Sequence, residues 1–254
     1  MTLISNEKIA CFEPVWAPYH GFSLLFDNPG NALEPMGNLK KVACDIHGDS
    51  ELSLYRALAD AMETVGPAAL MNTCLFCTLP YDSYHVTIWD GINDGNIIGV
   101  AASHRKELET YLQGFPESFA TAAKVTETVN ASKLAAGDDW NIGFRFEKLA
   151  IWSNRALVAR LSPVDNSSAA MLDRMLDERK ILNGKVGTLL DMNLNKAFKP
   201  HVSLGYFADP DLADVCRKDL GGIEEIFTKK TAGLSIVFHS VALYGFTDMA
   251  TFFK

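Results

Sequence analysis

The amino-acid sequence contains one four-residue pattern twice, as HVTI at residues 85–88 and as HVSL at residues 201–204. Each copy alternates a histidine and a hydroxyl residue with two apolar residues. Side chains alternate between the two faces of a β-strand, so each copy can bury its apolar pair while its imidazole and hydroxyl lie side by side. The repeat therefore predicts two half-buried strands, each carrying the same polar pair.

Chance produces this pattern rarely. In a chain with six histidines and 48% hydrophobic residues, about 0.15 matches are expected at random, so two copies have odds of roughly one in a hundred. A single histidine on an apolar strand usually only hydrogen-bonds within its own sheet. Two copies favour a shared functional role.

Strand and helix patterns occur in two comparable sets, which predicts an α+β fold. Strands are predicted at residues 21–27, 74–79, 84–90, 142–152, 156–164, 200–207 and 234–246. Helices are predicted after a cap at Asp49 or Ser50 up to Gly66-Pro67, and at residues 103–113, 115–135, 166–182 and 209–220, with Asn183-Gly184 and Gly221-Gly222 ending the last two. The second and third strands, joined by a short turn, are predicted to pair as a hairpin.

Composition restricts the classes of function. The 254 residues with a formal net charge of −8 fit one large domain or two small lobes and argue against a protein that tracks long nucleic acid. The N-terminus lacks the pattern of a signal peptide, and residues 234–246 are too short an apolar run to span a bilayer. We therefore expect a cytoplasmic protein that does not enter membranes.

The five cysteines are sparse and odd in number, which argues against a disulfide scaffold. Such a set of cysteines fits a reducing compartment. Cys74 and Cys77 form a CxxC, but it falls in a predicted strand, where positions three apart point to opposite faces. No second CxxC or matching histidine pair accompanies it. Buried thiols are the favoured interpretation.

With its YHVTI and PHVSL segments, the chain resembles the two-histidine (2H) phosphoesterase superfamily, whose members carry an H-Φ-[ST]-Φ motif in each lobe of an internally duplicated fold. The resemblance implies a bilobal α+β domain over residues 1–254, with two antiparallel sheets facing a central cleft and helices outside. The histidines are 116 residues apart in the chain. We expect the residues between about 93 and 140 to form a helical insertion.

The same resemblance makes His85, Thr87, His201 and Ser203 the candidate catalytic residues. In-line displacement at phosphorus needs a base for the attacking water and an acid for the leaving oxygen, and two histidines can fill both roles near neutral pH. The two hydroxyls can donate to the non-bridging oxygens, where charge accumulates. By resemblance no metal or other cofactor is required.

Four further residues are candidates for substrate binding: Trp89, Tyr206, Tyr84 and Lys199. Trp89 and Tyr206 could stack on a nucleobase, Tyr84 is a weaker aromatic candidate, and Lys199 and Arg145 could add positive charge near a phosphate. Core packing for the aromatic residues and a solvated position for the cations are the competing interpretations. Tyr19, Trp152 and Phe207 are interpreted as structural, and Asp90 and Asp94 as turn residues without identifiable metal partners.

The predicted activity is metal-independent hydrolysis of a cyclic phosphate, or of a 2′–5′ linked or cyclic oligonucleotide. The expected partner is a small nucleotide or short oligonucleotide, and the expected oligomeric state is a monomer. Two alternatives remain open: a metal-assisted phosphohydrolase that uses the histidines as ligands, and a nucleotide-binding module without turnover.

Overall fold

The computed structural model describes residues 4–13, 15–137, 139–194 and 197–254. Residues 1–3 of the N-terminal segment and residue 138 of the expected insertion therefore lie outside the described residues. The elements in chain order are β1 (Gly21–Phe26), β2 (Leu33–Met36), β3 (Leu39–Val42), α1 (Ser53–Val65), α2 (Pro67–Cys74), β4 (Phe76–Thr78), β5 (Thr87–Asn93), α3 (Ala102–Gln113), α4 (Lys124–Asn130), α5 (Lys133–Ala136), β6 (Ile142–Trp152), β7 (Ala156–Pro163), α6 (Asn166–Leu190), β8 (His201–Phe207), α7 (Pro210–Thr231), β9 (Ile236–Phe238), β10 (Val241–Phe246) and β11 (Phe252–Phe253).

The strands form two antiparallel sheets. The first sheet has the strand order β2-β3-β11-β10-β1-β5, and the second has the order β4-β8-β7-β6-β9. One histidine motif belongs to each sheet, through β5 and β8. The expected bilobal α+β architecture with two antiparallel sheets is confirmed.

The chain crosses between the sheets at two places where the sequence predicted otherwise. β4 pairs with β8 and β5 pairs with β1, so the expected hairpin of residues 74–79 and 84–90 does not form. Pro80 begins a 3₁₀ turn at Tyr81–Ser83 that redirects the chain between them. The single strand expected at residues 234–246 is likewise wrong, because β9 joins the second sheet and β10 the first.

Helices α6 and α7 are longer than predicted because each continues through two glycines, Gly184 and Gly187 in α6 and Gly221 and Gly222 in α7. α6 passes Gly184 and buries Val186, and α7 passes Gly222 and buries Phe227. A glycine costs a helix about 1 kcal/mol relative to alanine. Burying one large apolar side chain contributes about 1.5–3 kcal/mol, which offsets that cost.

The remaining helices pack around the sheets. α2 contacts β4, α7 contacts β6, and α1 packs against α7. Helices α3 to α5 lie in the stretch that was expected to be a helical insertion, and α4 and α5 contact β10 and α6. Among the helices of the described ranges, none has both the length and the apolar character that crossing a bilayer requires.

Candidate active site

The two histidine motifs line the same cleft. His85 lies two residues before Thr87, the first residue of β5, and His201 and Ser203 lie on β8. All of these polar residues line one cleft of about 650 Å³, to which both sheets contribute. The apolar residues of both motifs are fully buried: Val86, Ile88, Val202 and Leu204. The alternation predicted from the sequence is present in both copies, and the fold brings the two polar pairs together.

Each imidazole is oriented by the backbone carbonyl two residues before it. The Nδ1 atom of His85 lies 2.8 Å from the carbonyl oxygen of Ser83, and Nδ1 of His201 lies 3.0 Å from that of Lys199. A carbonyl oxygen only accepts, so these contacts assign the proton of the neutral ring to Nδ1. Both histidines therefore keep Nε2 as the basic nitrogen that a substrate can meet.

Each imidazole also packs against an aromatic ring supplied by its own sheet. The ring centroids are 4.1 Å apart for His85 and Phe252, and 4.2 Å apart for His201 and Trp152. Phe252 lies on β11 and Trp152 at the end of β6. The two halves of the site thus repeat a carbonyl, an imidazole and an aromatic ring, which together restrict rotation of the imidazole.

Burial lowers the pKa of both histidines. For His85 it lowers the pKa to about 4, with the Ser83 carbonyl acting against the shift and the neighbouring His201 adding to it. Burial also lowers the pKa of His201, opposed by the Lys199 carbonyl and the Asp90 carboxylate and reinforced by Lys8. Both rings are therefore neutral at pH 7 in the free protein. A phosphate anion in the cleft would raise both pKa values, because negative charge favours the imidazolium form.

Two irregularities in the pairing of β5 with β1 change which side chains face the cleft. Leu25 pairs with Thr87 but Leu24 pairs with Trp89, and a second shift follows before Ile92. Gly91 lies at the second shift with a φ of +64°, where a Cβ atom would come within 1.6 Å of the Phe22 carbonyl oxygen. Such β-bulges insert an unpaired residue and re-aim the side chains beside it.

The bulges exclude Trp89 from the cleft and place Asp90 in it. Trp89 is 1% exposed, packs near Phe22, and donates its Nε1 proton to Oδ1 of Asn183 at 2.8 Å. The prediction that Trp89 stacks on a substrate is therefore wrong. Asp90, interpreted from the sequence as a turn residue, lines the cleft instead.

A buried arginine supports the bulged part of β5 from α6. Arg179 is 2% exposed and donates from Nε to the carbonyl oxygen of Ile88 at 2.9 Å. Its Nη2 donates to the carbonyl oxygen of Ala197 at 3.2 Å and lies 3.9 Å from Oδ2 of Asp90. The guanidinium thus holds a backbone carbonyl and faces a carboxylate of the cleft at the same time.

The other three predicted binding residues, Tyr84, Lys199 and Tyr206, differ in their position relative to the cleft. Tyr84 is buried against Tyr55 and is absent from the cleft lining, so its predicted contact with a substrate is wrong. The Lys199 side chain is exposed outside the cleft, and it is the carbonyl of this residue that contacts His201. Tyr206 lines the cleft, although only 8% of it is exposed.

The N-terminal strap, residues 5–13 and 15–17, delivers a lysine to the cleft. The backbone nitrogens of Ser5 and Asn6 donate to the carbonyl of Ala208 at 3.0 and 3.1 Å, and Nδ2 of Asn6 donates to that of Phe207 at 2.8 Å. Nζ of Lys8 then lies 4.7 Å from the centre of the Tyr206 ring. Sequence reasoning missed this residue because no local pattern links the strap to β8.

Two other residues of the cleft were not predicted from the sequence to belong to the site. Trp152 was interpreted as structural and Phe252 was not considered, yet both contact a catalytic candidate. For Asp90 a signal did exist, since a glycine directly after it inside a strand pattern indicates a bulge. Arg145 lies in a separate surface depression with Glu147 and Thr228, outside this cleft.

The two cysteines of the CxxC are buried as interpreted, but they do not share the strand predicted for residues 74–79. Cys74 ends α2, and Cys77 lies on β4. Asp94 accepts from the backbone nitrogen of His20 at 2.7 Å. In the ranges that the structure describes, no three histidine, cysteine or carboxylate side chains are grouped so that they could hold a metal ion.

Comparison with known proteins gives a similarity of fold. No family model and no curated protein matches the chain. One similar solved structure is that of ATU0111, a conserved protein of unknown function from Agrobacterium tumefaciens str. C58. It has a TM-score of 0.56 at 13% sequence identity, over 97% of this chain and 88% of that chain. At this identity the similarity concerns the fold alone.

Proposed function

We propose that this protein is a metal-independent phosphodiesterase of the two-histidine type, acting on a cyclic phosphate or on a 2′–5′ linked or cyclic oligonucleotide. The observation that carries the proposal is the paired arrangement of His85 and His201, each with Nδ1 held by a carbonyl and with a hydroxyl two residues further along. Two imidazoles with available Nε2 atoms can supply the base and the acid of an in-line displacement.

The surroundings of the two rings favour different roles for them. The Asp90 carboxylate favours the charged form of His201, which suits a general acid that gives a proton to the leaving oxygen. His85 packs against Phe252, and burial lowers its pKa to about 4, which leaves the ring unprotonated and able to accept a proton from the attacking water. Thr87 and Ser203 would donate to the non-bridging oxygens of the phosphate.

The charge of the chain favours a small substrate. With a net charge of −8, most of the surface repels a long polyanion, whereas a nucleotide or short oligonucleotide needs to meet only the cleft. A cleft of about 650 Å³ is in the range of small-molecule sites.

The test is incubation of the protein with 2′,3′-cyclic nucleotides, cyclic dinucleotides, 2′–5′ oligoadenylates and RNA ends that bear a cyclic phosphate, with products identified by mass. We expect hydrolysis of at least one class, lost in a folded His85→Ala, His201→Ala double variant. A wild-type protein that turns over none of them while binding nucleotides would support the nucleotide-binding module instead.

A further inference from the structure

One end of the cleft carries two cations that the proposed chemistry does not use. Lys8 of the N-terminal strap and Arg155, which directly precedes β7, both line the cleft with Tyr206. In the described part of the chain, neither cation forms an ion pair with a carboxylate, although Glu7 also lines this end. The end therefore presents positive charge that no protein group neutralises by direct contact.

The Lys8 ammonium is held in place by aromatic rings. Its Nζ lies 4.7 Å from the centre of the Tyr206 ring and 5.1 Å from that of Tyr19. Trp16 of the same strap packs edge-on against Tyr206, with ring centroids 5.9 Å apart. Cation–π contacts of this kind fix the position of a side chain that otherwise samples many rotamers. They also place the ammonium over the Tyr206 ring, which argues against Tyr206 as a stacking platform for a base.

Arg155 belongs to the same end of the cleft because the strap is anchored to its backbone. Nδ2 of Asn6 donates to the carbonyl oxygens of Phe207 and Arg155, at 2.8 and 3.4 Å. The residue after Arg155, Ala156, pairs with Tyr206 across β7 and β8. The exposed guanidinium can therefore approach a ligand that contacts Lys8.

Tyr206, over whose ring Lys8 lies, is three residues beyond Ser203 on β8, and the register shift between them in the pairing with β7 allows both side chains to line the cleft. A single phosphate already has four donors or bases around it in His85, Thr87, His201 and Ser203. Lys8 and Arg155 are left for another group.

We propose that Lys8 and Arg155 form a subsite for a second phosphate of the same substrate, in addition to the phosphate that is attacked. The inference rests on the proposed function and narrows its substrate class. The preferred substrate then carries either a 5′-phosphate on the nucleotide with the cyclic phosphate or the internal phosphodiester of a short oligonucleotide. Lysine and arginine both recognise phosphate through charge-assisted hydrogen bonds.

The kinetic test compares kcat/KM for three substrates: a nucleoside 2′,3′-cyclic phosphate, its 5′-phosphorylated form, and a dinucleotide ending in the same cyclic phosphate. We expect at least a tenfold preference for one or both of the two-phosphate substrates. The one that is preferred identifies the source of the second phosphate.

Lys8→Gln and Arg155→Gln should each reduce the ratio of kcat/KM between the two-phosphate and one-phosphate substrates at least fivefold. Lys185→Gln and Arg145→Gln, exposed cations outside the cleft, should leave the ratio unchanged. Equal kcat/KM for all three substrates in the wild type would overturn the subsite.

Binding separates this inference from the proposed activity. Adenosine 3′,5′-bisphosphate should bind at least tenfold more tightly than adenosine 3′-monophosphate in calorimetry, and Lys8→Gln should remove most of the difference. If this holds in a protein that hydrolyses no cyclic phosphate, the subsite is supported and the proposed activity is overturned. If the two ligands bind equally to an active enzyme, the activity stands and the subsite is overturned.

Discussion

The buried guanidinium of Arg179 contacts two residues of β5: its Nη2 lies 3.9 Å from Oδ2 of Asp90, and its Nε donates to the Ile88 carbonyl at 2.9 Å. Replacing Arg179 by methionine would leave the carbonyls of Ile88 and Ala197 without this donor. We expect a loss of about 2–4 kcal/mol in the free energy of unfolding, measured by urea denaturation. Arg174→Met, on the exposed face of the same helix, serves as control and should cost less than about 1 kcal/mol. Equal stability of the two variants would contradict the supporting role of Arg179.

Removing either imidazole should abolish most of the turnover. We expect His85→Ala and His201→Ala each to lower kcat by about 100-fold to 10,000-fold with the fold intact, as judged by circular dichroism and thermal unfolding. Thr87→Ala and Ser203→Ala should cost less, because each removes one donor to the phosphate. His104→Ala, an exposed histidine of α3, is the matched control. A folded variant of either motif histidine with a near-normal rate would exclude the proposed mechanism.

The lowered pKa values predict an acidic optimum for kcat/KM. Activity should rise as the base His85 loses its proton near pH 4, and fall as the acid His201 loses its proton below its usual pKa of about 6.5. The maximum of kcat/KM therefore lies below pH 6.5. The kcat profile should lie at higher pH, since bound phosphate raises both pKa values.

Variants at two charged residues should shift this pH dependence in opposite directions. Asp90 raises the pKa of His201 and Lys8 lowers it. Asp90→Asn should therefore move the alkaline limb of the kcat/KM profile to lower pH, and Lys8→Gln should move it to higher pH. An alkaline limb that stays in place in both variants would show that His201 is not the group that titrates there.

Activity should survive excess chelator. The proposed chemistry uses imidazoles and hydroxyls alone, so dialysis against EDTA is expected to leave kcat/KM within about twofold of its initial value. If EDTA removes the activity and one divalent ion restores it, the metal-assisted hydrolase becomes the better account of the histidines.

Long RNA should be a poor substrate. For the same terminal cyclic phosphate, we expect kcat/KM for a long RNA not to exceed that for a short oligonucleotide, measured at two salt concentrations. A tenfold advantage of the long RNA that falls steeply with salt would reveal a basic track along the surface.

Local sequence was sufficient to predict the two strands of the site, although His201 lies on β8 and His85 lies two residues before β5. A period of two assigns His85 with Thr87 and His201 with Ser203 to one face, whatever the rest of the chain does. Helix spacing and capping residues likewise predicted α1, where Asp49 accepts from the Glu51 nitrogen at 2.8 Å in the preceding turn. The buried valines, isoleucine and leucine of the two motifs follow directly from the same periodicity.

Only the tertiary structure decided which other groups meet these histidines. The path of the chain between the sheets separated β4 from β5, because strand pairing depends on residues far away in the sequence rather than on the turn between them. The bulges of β5 bury Trp89 and turn Asp90 toward the cleft, since one unpaired residue reverses the face of every side chain beyond it. Lys8 reaches Tyr206 across 198 positions of the sequence through the strap. The sequence by itself determined the two pairs of reactive side chains, whereas the charge and the aromatic surroundings that set their pKa values arise from contacts between distant segments, which no local pattern encodes.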